Sequence, residues 1–296
     1  MPNIGFIGLG NMGAPMAANL VKSGDSVIGF DVVAAARQQS AQSGIEIAPT
    51  PKACVEKADV IVTMLPAGEH VRSVWGKVLP SAKRGALFID CSTIDVTSAR
   101  AAHALAGERG IAALDAPVSG GVAGAKAATL TFMVGGSVEA FARGKPVLER
   151  MGKRVVHCGD AGNGQAAKIC NNMILGASMI AVSEAFVLGE KLGLSHQALF
   201  DVASASSGQC WSLTSYCPVP GPVPASPANN GYKPGFAAAL MLKDLKLARE
   251  AAGAVHVKTA IGTHAAEIYE RFAEAGHSGT DFSGIINFVR EASKQR

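Results

Sequence analysis

Aromatic residues are scarce in this 296-residue chain, 5% of the total, and charged residues make up only 17%. So little charge beside 48% hydrophobic content excludes a disordered chain, and the length predicts two domains. With few large rings to fill a core, helices and strands must pack through small residues, and the 34 glycines fit that expectation. No dense basic run is present, and Lys plus Arg exceed Asp plus Glu only by 27 to 23, a net charge of +4. Nucleic-acid recognition wants Lys and Arg gathered on one face, so nucleic acid is not expected as a partner.

Signatures of disulfides and metal sites are also missing. The cysteines at positions 54, 91, 158, 170, 210 and 217 form no Cys-x-x-Cys pair, and no His stands near them at zinc-finger spacing. Most lie in apolar patterns as small buried hydrophobes, which fits a reducing, cytoplasmic setting. His-Glu-x-x-His does not occur, so no metal site is expected. The serine elbow Gly-x-Ser-x-Gly is absent as well: around Ser119 the first Gly is replaced by Pro117, which disfavours hydrolysis. No Lys or Arg precedes the first apolar run, which therefore reads as a strand rather than a targeting segment. The stretch Met173 to Gly189 is shorter and more polar than a membrane span of about 20 apolar residues and reads as a buried helix, with no membrane partner.

What the chain does have is alternation. Apolar runs Ile4 to Gly8, Val27 to Asp31, Val60 to Leu65, Leu87 to Asp90 and Ala112 to Asp115 are separated by Ala-rich helical patterns. That order predicts a parallel sheet covered on both faces, with further strands at Leu130 to Val134 and Arg154 to Cys158 around a helix from Ser137 to Met151. After Gly159 the alternation stops. Ile169, Met173, Gly176 and Ile180 recur at helical spacing in a segment without Pro. The expected fold class is α/β: a Rossmann-type doubly wound sheet over residues 1–162, a long interdomain helix over about 164–192, and an all-α domain making up the rest of 163–296. Within that domain Ser195 is an expected N-cap and a helix is expected over Phe236 to Ala252. Five prolines between Pro218 and Pro227 exclude helix and central strand there, leaving an ordered excursion or a flexible loop.

Gly8-Leu9-Gly10-Asn11-Met12-Gly13 follows the first strand and opens a helix, the pattern of a dinucleotide turn. The first Gly makes the tight bend, the second admits the pyrophosphate, and the third lets helix pack on strand, with the anion at the helix N-terminus. Asp31 ends the second strand 18 residues beyond Gly13, near the spacing at which a carboxylate meets the adenosine ribose. That carboxylate repels a 2′-phosphate, and Val32 and Val33 follow it rather than an Arg, so NAD is favoured over NADP. Leu65-Pro66 and Ser92-Thr93 lie at later strand ends, where such sheets present their ligands, although either is equally an ordinary turn.

Hydride transfer also needs a proton carrier and a substrate cradle. Ser119, Gly120 and Gly121, in Asp115-Ala116-Pro117-Val118-Ser119-Gly120-Gly121, offer a hydroxyl and approachable backbone N–H groups suited to a carboxylate, or simply a turn. Lys168 and Asn172 stand four apart and share a helix face. Desolvation at a domain junction lowers a Lys pKa from about 10.4 toward the range useful for acid-base chemistry, while the alternative is a Lys reaching out to solvent.

These segments together resemble the β-hydroxyacid dehydrogenases over nearly the whole chain. G-F-I-G-L-G-N-M-G-A-P-M-A is similar to the family's cofactor turn, D-A-P-V-S-G-G to its substrate segment, G-Q-A-A-K-I-C-N-N to its catalytic segment, and K-D-L-K-L-A to a cofactor-closing segment. The resemblance implies that Lys168 exchanges the proton of the substrate oxygen and that Asn172 orients it. It further implies that Ser119, Gly120 and Gly121 hold the carboxylate and that Lys243 reaches the nicotinamide end. Without it, Lys243 beside Asp244 reads as a surface ion pair, worth about 0–1 kcal/mol. The stretch Ser207 to Ser212 with Tyr216 resembles the members that oxidise (S)-3-hydroxyisobutyrate to methylmalonate semialdehyde in valine breakdown. Trp211 and Tyr216 then form a wall for the methyl branch, or else belong to an ordinary core. L-Serine and tartronate semialdehyde remain alternative substrates within the family, and a catalytically silent NAD-binding scaffold is the alternative outside it. The resemblance also implies a homodimer or homotetramer.

Overall fold

A computed structural model describes residues 1–294 of the chain. It comprises two compact units, Met1–Lys168 and the chain from Ile169 onward. The expected division at 162/163 falls six residues earlier, at the start of the long helix.

The first unit is built on a sheet of β1 (Asn3–Ile7), β2 (Ser26–Phe30), β3 (Glu46–Ile47), β4 (Val60–Thr63), β5 (Leu87–Asp90), β6 (Ala112–Asp115), β7 (Val118–Ser119), β8 (Leu130–Gly135) and β9 (Gly152–Gly159). Their order is β3-β2-β1-β4-β5-β6-β8-β7, with β9 on β8. The first six strands are parallel in the doubly wound order 3-2-1-4-5-6. Side chains two apart along a strand share a face. Accordingly Ile4, Phe6, Val60, Val62, Leu87 and Ile89 enter one core, and Ile7, Ile61 and Phe88 enter the other. Trp75 stands edge-on to Phe88 at 5.0 Å in the second of these.

Two features differ from the sequence expectation. β3 and β7 are only two residues long, too short to leave a periodicity of their own. β8 runs antiparallel to β6 and β7, because the chain turns back through Gly120 (φ +132) and the short helix Gly121–Ala127.

The helix Asn163–Lys191 begins in the first unit and continues into the second. By length and composition alone this 29-residue helix, with an 18-residue window of mean hydropathy 1.5, is long and apolar enough to cross a membrane. The sequence predicts the helix over about 164–192, but it is the stretch Met173 to Gly189 alone that reads as too short for a membrane span. Met179, Ile180, Phe186 and Val187 nonetheless lie in the helical unit's core, and Gln165, Lys168, Asn172 and Ser183 are buried polar residues on the same helix.

The helical unit continues with His196–Ser204, whose N-cap Ser195 accepts from Ala198 N, then Ala238–Ala254, Ala260–Phe272 and Ile285–Ala292. The proline-rich segment is an ordered excursion. Val219 is buried beside Leu213, Cys217 and Ile286, Ser226 Oγ donates to Cys217 O (2.6 Å), and Tyr232 OH donates to Pro218 O (2.8 Å). Of the cysteines, 54, 91 and 217 are buried while Cys170 is exposed, because helical periodicity turns it away from the buried side.

Candidate cofactor and active site

The glycine turn has the geometry its sequence requires. Gly8 lies at φ +99, where an L side chain is strained, and its N–H donates to Phe30 O at 2.9 Å. A Cβ at Gly13 would collide with the carbonyl oxygen of Gly8, so helix and strand approach each other only with glycine there. A Cβ at Gly10, by contrast, would meet nothing within 4 Å. Room is therefore kept at the start of the helix Gly13–Lys22, where unpaired N–H groups favour a phosphate. Asn11 is exposed beside it, and Met12 packs on the sheet core. These residues fit a dinucleotide.

Asp31 follows the end of β2. Its Oδ2 accepts from Leu9 N (2.7 Å) and its Oδ1 from Val33 N (2.8 Å), which fixes the carboxylate beside the turn. Val32 and Val33 follow Asp31 in the sequence, yet an Arg stands nearby in the fold. Arg37, six residues on in the helix Ala34–Ala41, returns to the strand end: its Nη1 donates to Asp31 O (2.6 Å) and its guanidinium lies 5.9 Å from the Phe30 ring centroid.

Two buried carboxylates sit at the ends of neighbouring strands, since Asp90 and Asp115 are register partners. Asp90 Oδ1 accepts from Thr63 Oγ1 (2.7 Å) and Ser92 Oγ (2.6 Å), and Ser92 Oγ in turn accepts from Leu65 N (2.8 Å). The strand-end residues Leu65 and Pro66 are thereby tied to the segment that carries Thr93. Asp90 Oδ2 has no hydrogen-bond partner. Burial pushes this carboxyl up to about 6, against the lowering effect of the Ser92 and Thr63 hydrogen bonds, and nearby Asp115 adds to the rise. Asp115 accepts from Gly162 N (2.8 Å) and Gln165 N (3.0 Å), with His103 Nε2 at 3.0 Å.

Beyond Asp115 the chain forms β7, with Ser119 half-buried, and then Gly120 and Gly121, both at positive φ. Lys168 is buried in the second turn of the long helix. Asn172 is buried one turn later, and its Nδ2 donates to Asp244 Oδ2 at 2.5 Å within the helical unit. Asp244 is thus a buried partner of Asn172, a role that a separation of 72 residues kept out of the sequence pattern. Lys243 is half-buried on the same helix.

Trp211 and Tyr216 are stacked, with ring centroids 4.9 Å apart, and Tyr216 stacks on Phe282 at 5.3 Å. The Tyr216 hydroxyl donates to Asp281 Oδ2 (2.9 Å). Burial, with the Asp281 carboxylate beside it, pushes this phenol well above its ordinary range. Trp211 is 52% exposed and presents its outer face. Among the described residues no group of three His, Cys, Asp or Glu side chains is placed to hold a metal ion.

Comparison with known proteins agrees with this geometry. Residues 3–159 match the model of the NAD binding domain of 6-phosphogluconate dehydrogenase. Residues 162–289 match that described as NAD-binding of NADP-dependent 3-hydroxyisobutyrate dehydrogenase. A probable 3-hydroxyisobutyrate dehydrogenase of Mycobacterium tuberculosis is 55% identical over 98% of both chains. An NAD-dependent L-serine dehydrogenase of Pseudomonas aeruginosa is 46% identical over 96% of this chain and 97% of its own. The solved structure of the 3-hydroxyisobutyrate dehydrogenase of M. tuberculosis with L-serine superposes with a TM-score of 0.96, at 55% identity, covering 98% of this chain and 99% of that one. With a dinucleotide turn, a carboxylate fixed beside it and relatives of this likeness along its whole length, the chain belongs to the 3-hydroxyisobutyrate dehydrogenase family of NAD-binding oxidoreductases.

Proposed function

We propose that the chain oxidises (S)-3-hydroxyisobutyrate to methylmalonate semialdehyde with NAD, a step of valine breakdown. The observation that carries this reading is a buried Lys168 one helical turn before a buried Asn172, on a helix whose start is held by Asp115. NAD, when bound, supplies the hydride acceptor. Lys168 Nζ takes the proton of the substrate hydroxyl as the hydride leaves the same carbon, and returns it in reduction. Asn172, its amide fixed by Asp244, orients that oxygen, while Ser119 with Gly120 and Gly121 holds the substrate carboxylate. Gly8, Gly10, Asn11, Met12 and Gly13 form the pyrophosphate cradle. Leu65, Pro66 and Thr93 line the nicotinamide side, and Lys243 closes on the cofactor. Trp211 and Tyr216, stacked on each other, supply an aromatic wall for the methyl branch.

Asp31 supports NAD over NADP, because its carboxylate, fixed beside the dinucleotide turn of the first unit, would meet the ribose hydroxyls there and repel a 2′-phosphate. The NADP-dependent enzyme in the description of the C-terminal match concerns residues beyond that end. Arg37 is engaged with the Asp31 carbonyl, so Asp31→Ala leaves an Arg within reach of a 2′-phosphate. The variant should lower the NAD-to-NADP ratio of kcat/KM about 30-fold, the size expected when a like-charge clash is relieved.

L-Serine is a second reading, favoured by the relative named as its dehydrogenase and by the solved relative with L-serine. A pocket distinguishes one methylene by only about 1–3 kcal/mol. Initial rates with (S)-3-hydroxyisobutyrate, L-serine and D-glycerate decide between them. A kcat/KM about tenfold or more higher for hydroxyisobutyrate is expected, and preference for serine overturns the substrate assignment. Self-association as a dimer or tetramer is part of the proposal, supported by exposed Ile174 and Leu188 on the long helix.

A further inference from the structure

Lys168 has to hold its amine at a set position, yet a Lys side chain is long and flexible. The first unit contains a device that fixes the helix turn beneath it. Asp115 places its carboxylate on the N–H groups of Gly162 and Gln165 (2.8 and 3.0 Å), among the donors a helix start leaves unpaired. Gln165, three residues before Lys168 and fully buried, sends its side chain to the loop after β5. There its Oε1 accepts from Ile94 N (3.1 Å) and its Nε2 donates to Ser92 O (2.7 Å), so one amide spans Thr93. Ser92 is itself bonded to Asp90 and to Leu65 N. One side chain therefore couples the Lys168 turn to the strand-end segments at the carboxyl edge of the sheet, where such sheets present their ligands.

We propose that Gln165 is a positioning residue for the reaction. It sets the height of the Lys168 turn against the Ser92–Ile94 loop, so that proton transfer from the substrate hydroxyl keeps pace with hydride loss. The inference rests on Lys168 as the proton carrier. A Gln that merely satisfies buried backbone groups would, when removed, weaken the fold or the cofactor crevice. Loss of a positioning Gln would instead slow proton transfer.

The test is Gln165→Ala beside Gln165→Glu, which keeps an acceptor for Ile94 N and loses the donor to Ser92 O. Gln165→Ala should lower kcat about 10- to 100-fold, as misplacement of about 1 Å does, with NAD Kd and substrate KM within about threefold. The solvent deuterium isotope effect on kcat should rise as proton transfer becomes limiting, and Gln165→Glu should fall between wild type and Gln165→Ala. Should the Ala variant fail to fold, the Glu variant carries the same kcat and isotope readouts. A kcat within about twofold of wild type, NAD Kd and KM worsening in step with kcat, or an unchanged solvent isotope effect would overturn the proposal. Lys168→Ala separates the two claims. If it is inactive while Gln165→Ala is unaffected, only the positioning role falls, whereas an active Lys168→Ala removes the reading beneath it.

Discussion

The sheet unit and the helical unit differ in where their apolar surface ends up. In the sheet unit, alternating strand residues feed two cores and helices close over both faces. The helical unit is the shorter of the two, yet it holds ten of the fifteen large hydrophobic residues exposed among the described residues, Ile174, Leu188, Leu192 and Ile261 among them. The polar groups differ in parallel. The sheet unit makes its candidate cradle from backbone, with glycines at fixed places, while the helical unit makes its contribution from a side-chain pair, Asn172 with Asp244. One unit is specified by where the chain turns, the other by which helix faces meet.

The largest effect that probes this contrast comes from filling a glycine in each unit. Gly13→Val drives a side chain into the Gly8 carbonyl, so it should abolish measurable NAD binding and cost about 3 kcal/mol of stability. Gly176→Val presses on Leu245 and Met241 and should cost about 1–3 kcal/mol while leaving NAD affinity within about threefold. Calorimetric titration with NAD and thermal unfolding check both. Equal losses of NAD affinity would erase the distinction between the units.

Asp90 gives the next effect. Its carboxyl is raised from the ordinary 3.8 to about 6 by burial, so the folded state binds the proton more tightly than the unfolded chain. The stabilisation from this group is complete below about pH 4 and is lost as pH rises through about 6. The difference corresponds to about 3 kcal/mol. Asp90→Asn should flatten the dependence of stability on pH between about 4 and 7, measured by denaturant unfolding, and an unchanged slope would refute the raised carboxyl.

The smallest effect concerns association. Leu188→Glu, on an exposed face of the long helix, should shift the chain toward monomer in light scattering and barely alter the chain's own fold, because the residue is 61% exposed. A monomeric wild type would remove this side of the comparison.

What was legible in the sequence follows the same division. The strands of the sheet unit and the Gly8 to Gly13 turn were readable because their signals are local: apolar runs, a bend, and a carboxylate at a set distance. Lys168 and Asn172 were readable as neighbours on a helix face. Asp244, Gln165 and Arg37 were not, since each acts through a contact that only the folded chain creates, with a partner or span of 72, 71 and 6 residues respectively. The two-residue strands β3 and β7 were too short to show alternation. Tyr216 was readable as aromatic, but its use by Asp281, 65 residues away, was not.

The central claim is that Lys168 carries the proton. The direct measurement is turnover of Lys168→Ala at saturating substrate, with NAD affinity determined on the same preparation. A fall in kcat of about 10³-fold, inside the range of about 10²–10⁴ for loss of a general base, with NAD Kd unchanged, is the expected result. Turnover within a few-fold of wild type would contradict it.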